Sequence, residues 1–455
     1  MFSERRQVDI KILKEALSDA GEIAAVEPLS SSDNRNYHIR FHGRTQDIFA
    51  KVADNRGDPE NPFTIHQMGL QREFTGLMAF LSVPELLEVM KIPKPLRLEK
   101  VDSPGEVGDE TQILLFPYLE ELVPENQLTF IPQTIYASVD PLGSNALALA
   151  KLSAFSHYEF IHEPHQQSLW QSSSSEIKGE LDNQKTHFKR GLYKKDILNN
   201  ILDFPYLWHD ISSEFDIIYN ELIQNLRTEL SLRSYWLSFR PLSDKSTIYY
   251  ENLSNNFSSA NKKVVVPGDR APWNEVIFSD ETARKGLYSW QFDFEKWSEI
   301  PISRFVGENL AVLLHFEVPM ITNTYTLAFM IAWSTNGLRP APISQIKERV
   351  SEFFEILVSA AHYAAVFRIW TASSLLKAFK DLEGAKKALE QAKLLLQNPF
   401  HFLEGCKEAI SDPTCLQEFW EIRAQAGLKA FMEWDGRVPA SLEEHANHAA
   451  KVFNR

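Results

Sequence analysis

The stretch that decides the fold reads Val264-Val-Val-Pro-Gly-Asp-Arg-Ala-Pro-Trp-Asn-Glu-Val-Ile-Phe278 and, after a polar turn, Leu287-Tyr-Ser-Trp-Gln-Phe-Asp-Phe-Glu-Lys-Trp297. An apolar strand ends in a turn that carries Asp269, and Asn274 follows five residues later as a second strand begins. Asp293 comes nineteen residues after Asn274, in a third strand rich in aromatic residues. This order of strands and polar side chains is typical of a phosphoryl-transfer site.

Each of the three polar side chains meets one requirement of that chemistry. A carboxylate has to orient the attacking hydroxyl and accept its proton, and we predict this role for Asp269. Magnesium takes few oxygen ligands from a protein, because water and phosphate complete its shell, and we predict Asn274 and Asp293 as these ligands. Taken alone, the Gly-Asp-x-x-x-x-Asn pattern is equally compatible with two hairpin turns that carry ordinary surface residues.

A lysine in the middle of an apolar strand lies about two hundred residues upstream. Lys51 falls within the run Asp47-Ile-Phe-Ala-Lys-Val-Ala53, and a buried ammonium group needs a partner. Glu73 lies on a predicted helix whose apolar stripe includes Leu70 and Leu77. Read singly, the two residues are an edge-strand lysine and a solvated helix charge. Together with the downstream pattern they predict an ion pair that holds nucleotide phosphates.

These motifs resemble those of the aminoglycoside phosphotransferase and choline kinase-like family, in particular a bacterial branch whose catalytic loop reads Gly-Asp-x-x-Pro-Trp-Asn. Residues 292–297 resemble the metal-binding strand of that branch, while 49–52 and 71–74 resemble its lysine strand and glutamate helix. The resemblance implies an α+β, two-lobed protein kinase-like fold, with a small antiparallel-sheet N-lobe and a large, mostly helical C-lobe. It also implies ATP as the phosphoryl donor and Mg²⁺ as the cofactor.

The resemblance implies nucleotide contacts from two further segments. No glycine-rich loop precedes Lys51, and the polar turn of residues 30–36, which includes Ser32 and Asn34, takes its place over the phosphates. A later apolar strand corresponds to the hinge between the lobes. Adenine is therefore expected to bind backbone groups near Phe116 and Tyr118.

Departures from the family pattern leave alternatives open. Pro267 stands where the family has a histidine, so the hydrogen bonds that a histidine gives the loop are absent. A shifted register would place Ser289 at the metal position and imply an inactive enzyme, but the Glu-Lys-Trp that follows Asp293 favours Asp293. Glu308 or Asn309 has to replace the aspartate that supports the loop in the family.

Composition limits the possible partners and the compartment. The 455 residues are 44% hydrophobic, and the formal net charge is −14 with a pI near 5.5, which argues against nucleic-acid binding. Two cysteines, Cys406 and Cys415, cannot build a disulfide framework, and a reducing cytoplasm is the expected location. The N-terminus lacks the apolar segment of a signal peptide, and the longest apolar stretch is too broken for a membrane span.

The domain prediction has three parts. Residues 1–120 form the nucleotide-binding lobe, 121–340 the catalytic lobe, and 341–455 a helical subdomain that completes the large lobe. Three histidines occur in a polar stretch at the start of the helical part, and their loose spacing favours solvated side chains over a metal site. They are His157, His162 and His165.

Three functions are compatible with these features. The order of the predicted site residues favours an ATP-dependent phosphotransferase that moves the γ-phosphoryl group to a hydroxyl of a small molecule. Pro267 and the alternative register at Ser289 support a catalytically silent nucleotide-binding protein or scaffold instead. A kinase that acts on a glycan or a protein is the third reading. The sequence identifies neither the acceptor nor the oligomeric state.

Overall fold

The computed structural model describes residues 2–29, 35–43, 46–54, 69–102, 110–118, 128–130, 132–138, 143–173, 175, 177–178, 262–268, 272–279, 287–292, 294, 297–339, 342–375 and 381–397. Along these ranges the helices are α1 (Phe2–Ala16), α2 (Gly69–Leu81), α3 (Pro84–Leu87), α4 (Pro132–Tyr136), α5 (Ser144–Ile161), α6 (Glu163–Ser172), α7 (Ile302–Leu314), α8 (Pro319–Ser334), α9 (Ile343–Ser374) and α10 (Leu382–Gln397). The strands are β1 (Ile23–Leu29), β2 (Arg35–Phe41), β3 (Ile48–Asp54), β4 (Met90–Lys91), β5 (Arg97–Asp102), β6 (Glu110–Pro117), β7 (Leu128–Phe130), β8 (Lys263–Val266), β9 (Glu275–Ser279), β10 (Leu287–Gln291) and β11 (Ser298–Pro301).

The N-terminal part is an antiparallel five-stranded sheet, in the order β1-β2-β3-β6-β5, that is covered by a helix on each face. Successive side chains of a strand point to opposite faces, so a strand covered on both sides is apolar throughout. In β6, Ile113 and Leu115 pack in one cluster with Leu13 of α1, while Leu114 and Phe116 pack in the cluster that contains α2. This double burial explains the unbroken apolar run of the strand.

Two smaller sheets connect this lobe to the helical part. One has the order β4-β10-β9-β7, and the other pairs β11 with β8. Strand β4 runs parallel to β10, with Met90 opposite Ser289 and Lys91 opposite Trp290. The chain that leaves α2 and α3 is therefore joined by hydrogen bonds to the hairpin that precedes Asp293.

The remainder is mostly helical and contains the largest apolar core. Helix α5 packs on α8, and α9 packs on both α7 and α10. Helices α7 and α8 are buried almost all round, including polar residues such as Asn309 and Thr324. The predicted fold class, α+β with a small antiparallel-sheet lobe and a large, mostly helical lobe, is confirmed. The three domain limits stay a prediction.

The prediction that the three histidines near the start of the helical part are solvated is wrong. His157, His162 and His165 are 3%, 8% and 4% exposed, because α5 runs through the core and α6 folds back beside it. The sequence places them in a polar stretch, but Ser156, Glu159 and Gln166 in that stretch are buried as well. No helix in the described ranges is both long and apolar enough to cross a membrane.

The crossing of α7 and α9 is expected to depend on Gly307. A Cβ at this position would overlap the backbone carbonyl oxygen of Ala360 and lie 2.7 Å from Tyr363 Cβ. Gly307→Ala should therefore lower the free energy of unfolding by about 1–3 kcal/mol, since the helices have to separate. Gly384→Ala in α10 is the control, because the obstacle there is the side-chain carboxylate of Asp381, which can move at the cost of the hydrogen bond that it accepts from the Gly384 N–H. Urea unfolding measures both variants, and equal losses would contradict this close packing.

Candidate functional site

An ion pair joins the central strand of the small lobe to helix α2. Lys51 Nζ lies 2.7 Å from Glu73 Oε1 and 3.0 Å from Oε2. The Glu73 side chain is 2% exposed and that of Lys51 is 13% exposed. Removing one partner of a buried ion pair typically costs about 3–5 kcal/mol, because the other charge is left uncompensated. Strand β3 and helix α2 are thus held together at this point.

Helix α2 is anchored to the sheet at its first turn. The Gln71 backbone N–H, one of the amides that a helix leaves without an internal partner, donates to Gln112 Oε1 of β6 at 3.0 Å. Glu73 follows two residues later. The anchor therefore fixes the end of the helix that carries the carboxylate.

Two reciprocal hydrogen bonds join α2 to the segment beyond Asp293. Arg72 Nη2 donates to the Trp297 carbonyl at 2.8 Å, and Trp297 Nε1 donates to the Arg72 carbonyl at 3.0 Å. We call this pair the Arg72–Trp297 clamp. The indole is fully buried, and a Cβ on Gly76 would lie 2.5 Å from its Cδ1. The glycine lets the helix approach the indole closely, one turn beyond the clamp.

The base of the predicted catalytic loop is held by a two-stranded ladder. Strands β8 and β11 pair antiparallel, with Val266 opposite Ser298. Gln166 of α6 binds the middle of β8: its Nε2 donates to the Val265 carbonyl and its Oε1 accepts from the Val265 N–H, both at 2.8 Å. Gly268 follows the strand at φ +93°, a conformation that favours glycine. Asp269 lies outside the described residues.

Asn274 connects the loop to the hairpin that follows. It ends a short 3₁₀ turn, Pro272–Asn274, and its side chain is half-buried. Its backbone carbonyl accepts a hydrogen bond of 2.9 Å from the Phe292 N–H. Phe292 is the residue before Asp293, which itself lies outside the described residues. The backbone of Asn274 is therefore hydrogen-bonded to the residue directly before Asp293, the other predicted magnesium ligand.

The surroundings of Ser289 bear on the choice of register. Ser289 lies inside β10, opposite Ile277, and is fully buried. Its hydroxyl donates to Ser156 Oγ at 2.9 Å and accepts from Gln291 Nε2 at 3.2 Å. A hydroxyl engaged in this way inside the core is a poor metal ligand. These contacts favour Asp293, which keeps the status of a prediction.

A buried carboxylate that the sequence reading missed lies directly after Asn274. Glu275 is 2% exposed, and its two oxygens accept hydrogen bonds from Ser153 Oγ at 2.5 Å and Gln291 Nε2 at 2.8 Å. Burying a charge is favourable only when hydrogen bonds replace the lost water. Ser153 of α5 and Gln291 of β10 supply them, so the carboxylate ties the helix to the hairpin beneath the loop.

A small cavity lies under the loop between this carboxylate and helices α7 and α8. Its lining includes Tyr136, His157, Pro272, Glu275, Asn309 and Tyr325. Tyr325 and His157 Nδ1 share a hydrogen bond of 2.8 Å. Burial, and secondly the charge of Glu275, raise the pKa of both tyrosine hydroxyls, which therefore stay protonated.

The cavity also distinguishes between Glu308 and Asn309, the two residues predicted to support the loop. Asn309 is 5% exposed and lines the cavity together with Pro272 of the loop. Glu308 instead accepts a hydrogen bond of 2.6 Å from Arg304 Nε on its own helix. Asn309 is therefore the residue that faces the loop.

The nucleotide contacts that the resemblance implied are only partly described. Phe116 is buried in β6, and its ring lies 6.1 Å from that of Phe49. The Tyr118 N–H donates to the Asp47 carbonyl at 2.9 Å, and its ring stacks on His38 at 3.7 Å. An adenine contact at Tyr118 thus has to use the carbonyl group or the ring.

Ser32 and Asn34, in the predicted phosphate turn, lie outside the described residues. The Arg72–Trp297 clamp and Glu275 were not found by sequence reasoning. Gly76, one helical turn from Arg72, was the one available signal of a close approach, and nothing in the sequence identifies its partner.

Comparison with known proteins gave only structural matches. No protein-family model and no curated protein sequence matches the chain. The structure of a microcompartment-associated aminopropanol kinase has a TM-score of 0.43 and 13% identity, over 87% of this chain and 97% of that chain. For a choline kinase from Streptococcus pneumoniae the values are 0.33 and 12%, over 85% and 98%. A Plasmodium vivax ethanolamine kinase gives 0.40 and 9%, over 82% and 83%. These values do not identify the acceptor of this chain.

The hydrogen bond that Trp297 Nε1 donates is expected to contribute measurably to the free energy of unfolding. Trp297→Phe keeps an aromatic ring but removes the indole N–H. Trp333→Phe is the matched control, because Trp333 is 7% exposed and its N–H has no hydrogen-bond partner among the described residues. Trp297→Phe should cost about 1 kcal/mol more than the control, the usual net value of a hydrogen bond. Urea unfolding of both variants gives the difference, and its absence would show that the N–H contributes nothing.

Proposed function

We propose that the protein is an ATP-dependent phosphotransferase that moves the γ-phosphoryl group to a hydroxyl of a small molecule. The observation that carries this proposal is the connected set formed by the Lys51–Glu73 ion pair and the Arg72–Trp297 clamp. The set links a partly buried lysine, suited to phosphate oxygens, to the segment that contains Asp293. Phosphoryl transfer consists mainly of positioning and charge stabilisation, and such a linked set can supply both.

Asp269 is the general base of this proposal. It would accept the proton of the attacking hydroxyl and hold that oxygen in line with the γ-phosphorus. The neighbouring Gly268 permits the turn that follows β8, and β8 is fixed by its ladder and by Gln166. Asn309 and Pro272 meet at the cavity beneath the turn, where Asn309 takes the supporting role.

Asn274 and Asp293 are the proposed magnesium ligands. The fit rests on oxygen chemistry and on the backbone bond between Asn274 and Phe292, which keeps the two ligand positions adjacent. Mg²⁺ at this place would neutralise charge on the phosphates. Lys51, oriented by Glu73, would bind a phosphate oxygen from the small lobe.

The remaining assignments complete the proposed nucleotide site. Ser32 and Asn34 would cover the phosphates, while Phe116 and Tyr118 would border the adenine. We place the protein in the cytoplasm, where ATP is abundant and the two cysteines stay reduced. A silent nucleotide-binding protein and a kinase for glycans or proteins remain the alternatives that the experiments below distinguish.

Nucleotide binding is expected to depend on the ion pair of Lys51 and Glu73. ATP with Mg²⁺ should raise the free energy of unfolding of the wild type by about 2.7 kcal/mol at a hundredfold excess over Kd. The melting temperature should rise accordingly. The double variant Lys51→Met, Glu73→Gln removes both charges and so leaves no uncompensated buried one. It should bind ATP at least about tenfold more weakly, as expected for a lost charge-assisted contact worth roughly 1.5–3 kcal/mol.

A matched control for this variant exists on the same sheet. Arg97 of β5 pairs with Asp19 at 2.9 Å and is far more exposed than Lys51. Arg97→Gln should leave the ATP shift unchanged. If ATP stabilises the wild type and the double variant equally, Lys51 and Glu73 do not hold the nucleotide.

Substitutions of Asp269 and Asp293 are expected to impair different properties, turnover for Asp269 and metal-dependent binding for Asp293. Asp269→Asn should retain ATP binding and lose turnover by about a hundredfold or more, the typical size of a general-base effect. Asp293→Ala should instead weaken the Mg²⁺-dependent part of ATP binding. The assay is ATP consumption across amino alcohols, amino sugars, nucleosides, glycans and protein acceptors.

The register and the silent alternative are tested in the same assay. Ser289→Ala is predicted to leave metal-dependent binding intact. Should Ser289→Ala abolish it while Asp293→Ala is harmless, the assigned register is wrong. A wild type that binds ATP and phosphorylates no acceptor above the level of Asp269→Asn favours a nucleotide-binding scaffold.

A further inference from the structure

Three buried side chains with metal-binding atoms meet at the elbow between α5 and α6. Glu159 lies in the last turns of α5, His162 between the helices and His165 in the first turn of α6. They are 0%, 8% and 4% exposed, and one ligand atom from each lies within 4.8 Å of the others. The proposed phosphotransfer uses none of the three.

The two histidines are arranged as neutral ligands. His165 Nδ1 lies 3.4 Å from Glu159 Oε2, so the ring has to turn for Nε2 to share an ion with this carboxylate. Nδ1 is also 2.9 Å from the Glu159 backbone oxygen, and because a carbonyl only accepts, it carries the proton and Nε2 keeps its lone pair. Such a bond from the second ring nitrogen is the usual way in which metal-binding imidazoles are oriented. His162 Nδ1 has no hydrogen-bond partner among the described residues.

A surface arginine covers the cluster. Arg339 Nη1 lies 3.7 Å from Glu159 Oε1, and its side chain is 47% exposed. It balances the charge of the carboxylate, and its Nη1 also donates to the Asn336 carbonyl. Because the side chain lies at the protein surface, it can turn away by giving up these two contacts, which leaves a path for an ion. A Cβ on Gly337, at φ +75°, would overlap Glu159 Oε1, so the turn that carries Arg339 lies directly over the carboxylate.

We propose that Glu159, His162 and His165 bind a divalent transition metal ion, with Zn²⁺ as the natural occupant. Two imidazole nitrogens and one carboxylate oxygen suit zinc, while magnesium and calcium prefer oxygen alone. Tetrahedral zinc with bonds of about 2.0–2.1 Å places its ligand atoms roughly 3.3 Å apart. The cluster therefore has to contract by about 1.5 Å as Arg339 withdraws.

An ion at this position would brace the strand that leads to the catalytic loop. Gln166, the residue after His165, forms the two hydrogen bonds that hold Val265 of β8. On the other side, Tyr158 and Glu159 belong to the helix that carries Ser153 beneath the loop. Fixing the elbow thus restrains both supports of the loop without touching a substrate. The role assigned to the ion is structural.

Cobalt titration of the full chain, freed of tag and metal, tests this proposal. Co²⁺ replaces Zn²⁺ in tetrahedral sites and gives visible absorption there. The expected result is one Co²⁺ per chain, displaced by Zn²⁺ and unaffected by excess Mg²⁺, because nitrogen ligands discriminate against magnesium. Zinc content of the protein as purified, measured by mass spectrometry, is the second readout. A wild type without stoichiometric Co²⁺ absorption overturns the proposal.

Three variants locate the ion. Glu159→Gln and His162→Gln should each weaken Co²⁺ binding by on the order of a hundredfold, since each removes one of three ligands. Arg339→Gln should tighten it by on the order of tenfold, because a competing cation is gone. If the cluster is only an arginine–carboxylate pair, Arg339→Gln lowers stability and gains no metal affinity. Co²⁺ absorption that is unchanged in His162→Gln would place the ion elsewhere and refute the assignment.

Discussion

The Arg72–Trp297 clamp is the interaction on which the geometry of the site depends. The position of Glu73 depends on how far α2 is shifted along its axis and on how it is rotated about that axis. Two reciprocal hydrogen bonds between α2 and Trp297, each from a side chain to the backbone carbonyl of the other residue, fix both, because each requires its two atoms to lie within about 3 Å. Gly76 removes the side chain that would keep the surfaces apart. Glu73, one residue from Arg72, is thereby positioned together with Lys51.

Support for the loop comes from buried polar groups rather than from a histidine within it. Pro267 lacks an N–H and is buried, so it gives the loop no hydrogen-bond donor. Helices α5 and α6 compensate from below: Ser153 binds Glu275, and Gln166 binds Val265. Such networks specify one arrangement because a half-satisfied member is costly. Asn309 lines the cavity beside Pro272 of the loop.

The sequence revealed local patterns well and long-range partners poorly. The family resemblance implied the order of the lobes, and Lys51 and Glu73 could be paired because a buried ammonium group needs a partner. Trp297 gave no such signal, since a tryptophan in an apolar stretch is usually a core residue, and its bond to Arg72 spans 225 residues. The histidines near α6 were misjudged for a related reason. Polar neighbours indicate exposure only if they are not themselves buried, which tertiary packing decides.

Trp297 is expected to affect nucleotide binding through Glu73. The test is the Kd of ATP with Mg²⁺, measured by calorimetry for the wild type, the Lys51→Met, Glu73→Gln variant, Trp297→Phe and the variant that combines all three substitutions. If Trp297 acts by positioning Glu73, Trp297→Phe and the Lys51→Met, Glu73→Gln variant each bind more weakly than the wild type, and the combined variant binds no more weakly than Lys51→Met, Glu73→Gln, because coupled residues are not additive. Losses that add in the combined variant, or a Trp297→Phe protein with wild-type affinity, would contradict this role of the clamp.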